Sequence, residues 1–113
     1  MKNLLFLFVA ALSLLATACS KDNNGLKLQP HDDNRMMDSL HAMMNRMHAM
    51  TMTNDPEIDF PKMMIMHHQG AINMSTALRQ DGKNDSLKRF AQKVITAQMM
   101  EIQELNMMLA GET

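Results

Sequence analysis

Two imidazoles and four thioethers crowd into the run Met63-Met64-Ile65-Met66-His67-His68-Gln69-Gly70-Ala71-Ile72-Asn73-Met74. Imidazole nitrogen together with thioether sulfur suits a soft metal ion, above all Cu(I), and fits hard cations poorly. A second tract of the same chemistry comes before it. His41, His48 and seven methionines lie between Met36 and Met52, so soft donors cover most of the chain outside its N-terminal region.

The earlier tract holds a near-repeat at seven residues, His41-Ala42-Met43-Met44 and His48-Ala49-Met50-Thr51, which defines two faces of one helix. Met36, Leu40, Met43, Met47 and Met50 form a core stripe, because a flexible thioether fills packing gaps readily. About 100° away, Met37, His41, Met44, His48 and Met52 succeed one another three or four residues apart. Neighbours at such spacings have Cβ atoms about 5–6 Å apart, so a His and a Met can close on one ion. A domain this small cannot bury every side of a helix. The second face is therefore exposed or held at a subunit contact.

Three amphipathic helices must position these donors. The first starts at Asp32 or Asp33, either of which can cap free backbone N–H groups, and runs to about Met52 before Thr53-Asn54-Asp55-Pro56 stops it. The second begins between Asp55 and Asp59. Pro61 favours Asp59 as the cap, since proline is best tolerated in a first turn, while Asp55-Pro56 also reads as a start. Gly82, able to take a left-handed conformation, closes this helix. Asn84 or Asp85 caps a third, which runs to about Ala110 before Gly111. No run alternates as a strand would. The fold class is all-α, a small antiparallel bundle of three helices with a gap where a fourth would complete a four-helix bundle.

On the second helix Phe60, Met64, His67, Ala71, Met74 and Leu78 fall within about 40° of one line, which marks a core seam. His67 then points inward, either as a ligand or as a neutral imidazole hydrogen-bonded to another helix. His68 lies about 100° further round, at the boundary beside Ile72 and Ser75. The third helix has a seam through Leu87, Ala91, Val94, Leu105 and Leu109, with Gln98 and Glu101 inside it. Burying an ionised carboxylate is costly without a compensating donor, cation or metal. Glu101 should therefore meet His67 or His68, as a structural polar knot or as a carboxylate that orients a metal-binding imidazole.

The start of the chain carries a different signal. Lys2, the apolar run from Leu4 to Leu15, and Ala16-Thr17-Ala18 before Cys19 resemble a bacterial lipoprotein signal, with Ala16 where that pattern more often has Leu. The apolar run is too short to span a bilayer. The expected organisation is a signal peptide over residues 1–18, a flexible tether over 19–31 containing Gly25 and Pro30, and a helical metal-binding domain over 32–113. Lipid on Cys19 would anchor the protein to a membrane of the bacterial cell envelope, the periplasm or outer membrane, without spanning it. With Cys19 as the only cysteine, neither an intrachain disulfide nor a cysteine-based zinc or iron–sulfur site is possible. The net charge of −1, with few aromatics and no basic cluster, gives no sign of a nucleic-acid partner.

Asp55-Pro56-Glu57-Ile58-Asp59-Phe60, then Met64-Ile65-Met66-His67-His68-Gln69-Gly70-Ala71-Ile72-Asn73-Met74, then Ala91, Ile95, Ala97-Gln98 and Glu101-Ile102 resemble the bacterial domain of unknown function 305 family. The likeness covers about residues 54 to 110. It implies a ferritin-like helical bundle, commonly exported, with some members that bind copper through Met and His and contribute to copper or silver tolerance. Carried over residue by residue, it points to His67 and His68, with Met64, Met74, Gln98 and Glu101 around them. Met66 stands where the family usually has Pro, which adds a further candidate ligand, and Met108 stands near where a Trp is common. The His/Met ladder of the first helix rests on spacing alone.

Other chemistries find no support in these residues. A di-iron oxidase needs about four inward carboxylates and Glu-x-x-His pairs, whereas the second helix has no carboxylate between Asp59 and Asp81. The spacing His-Glu-x-x-His of zinc proteases is missing, as are a glycine-rich phosphate loop and a nucleophile elbow. The residues lead us to expect a non-enzymatic protein that binds copper as Cu(I), with silver as an alternative, for sequestration or transfer. The competing expectation is a structural or interaction module that dimerises or packs a partner helix through its Met-rich faces.

Overall fold

Three helices run through residues 35–111, the part of the chain that the computed structural model describes: α1 (Arg35–Ala49), α2 (Pro56–Asp81) and α3 (Asp85–Ala110). No strand occurs among the described residues, so the fold is all-α. The expected signal peptide, the lipidation site Cys19, the tether and the start of the first helix at Asp32 or Asp33 lie outside them.

Helix α2 begins where Asp55, in an extended conformation, accepts the Glu57 N–H at 3.0 Å and Pro56 occupies the first helical position. Asp59, the favoured cap in the sequence, is instead one turn inside the helix. Its carboxylate is only 5% exposed and accepts the Thr53 N–H at 2.9 Å, the Thr53 hydroxyl at 2.9 Å and the Asn54 N–H at 3.0 Å. Those bonds explain why α1 stops at Ala49 and not at Met52. The backbone donors of residues 53 and 54 are committed to α2, and Asn54 takes a left-handed φ of 67° to reach it. The Thr53 N–H above all holds the Asp59 carboxyl below its ordinary value of 3.8; burial opposes this, while the Thr53 hydroxyl, Asn54 N–H and Lys62 reinforce it.

The far end of α2 closes differently from expectation. Gly82 is extended (φ −74°, ψ 152°), not left-handed, and its N–H bonds to the Leu78 carbonyl at 2.8 Å. Glycine is needed there for closeness. A Cβ would fall 2.5 Å from the Leu78 oxygen. Asn84 then caps α3 by accepting the Leu87 N–H at 2.9 Å, and Gly111 ends that helix at φ 76°.

Both α1 and α3 pack against α2 and do not approach each other. Each runs antiparallel to it: Arg35 at the start of α1 donates to Asp81 at the end of α2 at 3.0 Å, and His68 of α2 meets Glu101 of α3. Accordingly α2 is buried along two lines about 180° apart. Asp59, Gly70 and Ala77 form one, and Pro61 and His68 form the other. At Gly70 the missing side chain lets Met43 of α1 lie directly on the backbone.

The single apolar seam expected on α2 is therefore not its core. Phe60, Met64, His67, Ala71, Met74 and Leu78 lie between the two buried lines; Phe60 is 61% exposed and His67 is exposed as well. The cause is the central position of α2. A helix flanked on opposite sides makes its closest contacts through small and paired polar residues, which leaves its most apolar stripe uncovered. The described residues give the three expected helices, arranged as a layer with α2 in the middle, and no fourth helix that would complete a four-helix bundle.

Candidate metal centre

Within the α2–α3 contact His68 is 6% exposed, and its Nε2 lies 2.5 Å from Glu101 Oε2. This reverses the expected roles of the two histidines. His68, placed at the boundary by a single-seam reading, is the buried one. His67, placed inward, is exposed. Glu101 also departs from expectation, because its side chain keeps about half its surface (52%) in solvent while reaching inward with one oxygen. Water on its outer side removes most of the desolvation cost that full burial would impose.

The second ring nitrogen of His68 is the more informative atom. Nδ1 is buried and has no hydrogen-bond partner. A carboxylate accepts from an N–H, so in the neutral tautomer that places the proton on Nε2 the lone pair of the ring is left on Nδ1. An imidazole whose N–H is held by a carboxylate, with the opposite nitrogen bare, has the arrangement in which histidine ligates metals. Met64, one turn before His68 and about 40° from it around the helix, is half-buried, as is Gln98, one turn before Glu101. These are the donors that helical spacing brings to the same contact.

The remaining candidates divide among other surfaces. Met66 is half-buried but lies about 160° round α2 from His68, toward α1. Met74 is half-buried on the open side of α2, two turns beyond the exposed His67. The rings of His67 and His68 approach edge to face with centroids 6.3 Å apart. On α1 the residues Met37, His41, Met44 and His48 are all exposed on one face, and on the expected core stripe Met43 is buried and Leu40 and Met47 half-buried, while Met36 is as exposed as Met37 and Met50 falls in the loop after the helix. Met52 is exposed in the loop after α1, so the ladder has four helical rungs and not five.

Among the described residues no group of three or more His, Cys, Asp or Glu gathers closely enough to hold a metal ion. A metal at His68 would draw on thioether or amide donors to complete its shell. That donor set suits a soft, low-coordinate ion and suits zinc or iron poorly. Sequence reasoning did not find the bare Nδ1 or the Asp59 clamp. The second left a signal in Thr53-Asn54-Asp55, a turn-forming run followed four residues later by another acid.

The fold and the site together define an all-α domain with a carboxylate-braced histidine between two antiparallel helices. The model of the domain of unknown function DUF305 matches residues 10–109, and the chain belongs to that family. The match takes in α1 and its His/Met ladder, beyond the likeness read from residues 54 to 110. No curated protein and no solved structure matches the chain.

Proposed function

We propose that this protein is a non-enzymatic copper binder of the bacterial cell envelope, tethered through lipid on Cys19. It takes Cu(I), with Ag(I) as a chemical equivalent, and serves sequestration or transfer of the ion in metal tolerance. The observation that carries this reading is the His68 side chain, fixed by Glu101 through Nε2 and presenting a buried, unpartnered Nδ1. A neutral imidazole braced in this way is a stronger base toward a metal than a freely rotating one. The exposed rungs Met37, His41, Met44 and His48 support the same reading as weaker surface capture points, since their spacing lets adjacent side chains share one ion. The ferritin-like ancestry implied by the family likeness belongs to this proposal, with α1 to α3 standing for part of such a bundle.

The test is anaerobic competition of the apo-protein against a chromophoric Cu(I) chelator. We expect His67→Ala/His68→Ala to lose the tightest binding and His41→Ala/His48→Ala to lose weaker equivalents. Retention of full binding by both variants defeats the assignment.

A second reading, a helical interaction module, is favoured by one observation: Phe60 and Phe90 are 61% and 63% exposed. Large apolar surfaces of this kind mark contact with another macromolecule. The two readings are compatible, because the exposed phenylalanines lie apart from His68 Nδ1.

A further inference from the structure

One side of the three-helix layer is apolar. It carries Phe60, Met64, His67, Ala71, Met74 and Leu78 of α2, with no carboxylate, lysine or arginine in that stripe. For neighbours antiparallel to α2, helix geometry turns Met37, Met44 and Met47 of α1 and Phe90 and Met108 of α3 to the same side, with the half-exposed Glu101 carboxylate between the last two as the charged group of this mainly apolar surface. The opposite side of the α1–α2 contact is a polar cleft lined by Arg35, Asp38, Ser39, Asn73, Thr76 and Gln80.

The size of the apolar side approaches what a stable dimer needs. Phe60, Phe90, Met44 and Met108 are 61%, 63%, 44% and 50% exposed. Together they leave on the order of 500 Å² of mainly apolar surface, toward the upper end for patches on ordinary monomers. The half-buried Leu40, Met47, Met64, Met74 and Leu78 extend it toward the roughly 800 Å² per partner of a standard interface.

The pattern is also self-complementary. About a point at residue 69 of α2, Phe60 pairs with Leu78, Met64 with Met74, and His67 with Ala71. Phe90 and Met108 of α3 are equidistant from residue 99, which lies close to the level of residue 69 because His68 meets Glu101. Apolar residues balanced about one level on two helices are what a two-fold axis at that level requires, since each residue then meets the counterpart of its mirror position.

We propose that a second copy of this chain covers this side, with α2 packed antiparallel on its symmetry mate about residue 69. The pairing completes a soft-metal site from His67 and Met64 of one copy and Met74 of the other, formed twice by symmetry. The docking rests on area and symmetry alone, whereas the bridging site rests on the copper reading. His67 sits over the small Ala71 of the second copy, which leaves room for its ring, and the second copy's Met74 lies level with Met64, one turn away. Two thioethers and an imidazole form a low-coordinate shell for Cu(I) or Ag(I).

Sedimentation equilibrium of the full chain in a density-matched detergent, with and without Ag(I), tests both parts. We expect the unaltered chain to be a dimer and Phe60→Glu and Phe90→Glu each to be monomeric with unchanged helical circular dichroism, as their exposure allows. Silver should tighten the dimer about tenfold or more, and His67→Ala and Met74→Ala should abolish that shift. A chain that stays monomeric, or a dimer that survives both glutamates, overturns the docking. A dimer indifferent to silver overturns the bridging site. Failure of the copper reading itself looks different: equilibrium dialysis would find no silver or copper on the protein at all, with the dimer intact.

Discussion

Met43 occupies the space that a side chain at Gly70 would need. A Cβ there would stand 2.2 Å from the Met43 sulfur and 2.6 Å from its Cγ, so the close contact of α1 with α2 depends on this glycine. Gly70→Ala should therefore destabilise the protein, because overpacking costs about 1–3 kcal/mol and exceeds the roughly 1 kcal/mol of helix propensity gained. Urea denaturation reads the difference. In a Met43→Ala background the cost of the same substitution should shrink without vanishing, because the Cβ at position 43 would still stand 2.9 Å away, and an unchanged urea midpoint for Gly70→Ala alone would contradict the packing.

His68 should trade stability for binding. An unsatisfied buried polar atom costs about 1–3 kcal/mol, so His68→Leu should leave the metal-free protein as stable as the original or raise its Tm, while removing the tightest copper equivalent. A steep loss of apo stability would mean that Nδ1 is satisfied in solution.

On the copper reading, Glu101 positions the imidazole without touching the ion. Glu101→Gln should weaken Cu(I) affinity by about 10–100-fold in chelator competition with little change in Tm, the usual effect of losing a partner that orients a ligand. Unaltered affinity would reduce the pair to a structural contact.

Acid should loosen the α1–α2 loop through Asp59. Its folded pKa is depressed, so the stabilisation is fully present above the unfolded value, taken as 3.8, and is lost as pH falls through the lower folded value. Thermal melts below about pH 4 should show a decline that Asp59→Asn lacks, that variant being less stable by several degrees at neutral pH. Parallel pH profiles for the two proteins would refute the clamp.

The ladder of α1 should be dispensable for folding. His41→Ala/His48→Ala removes exposed rings, so stability should stay within about 0.5 kcal/mol while the number of weakly bound Cu(I) ions falls in titration. Loss of folding would show these rings to be packed.

Much of the fold was legible because it rests on local rules. Asn84 and Gly111 act where capping chemistry puts them, and the middle of the α1 core stripe, Leu40, Met43 and Met47, is turned from solvent while the ladder is exposed, whereas its ends, Met36 and Met50, are respectively exposed and beyond the helix. The site was half legible. The spacing of Glu101 on its helix called for a histidine partner, but the choice between His67 and His68 needed the number of helices touching α2. A wheel assumes one buried side. With α1 and α3 on opposite flanks, Gly70 and His68 became the contact residues, and the strongest apolar stripe was turned outward. Asp59 misled for a related reason. Its carboxylate serves the chain before α2, and a loop that folds back is invisible to rules that read forward from a cap.

Because α1 and α3 are joined only by way of α2, the molecule has a natural order of disassembly. The segment from Arg35 to Ala49 can peel away while the α2–α3 hairpin stays zipped, so backbone amides there should exchange with deuterated solvent before those flanking His68. A pull applied to the first helix is absorbed there and leaves the contact of His68 with Glu101 undisturbed.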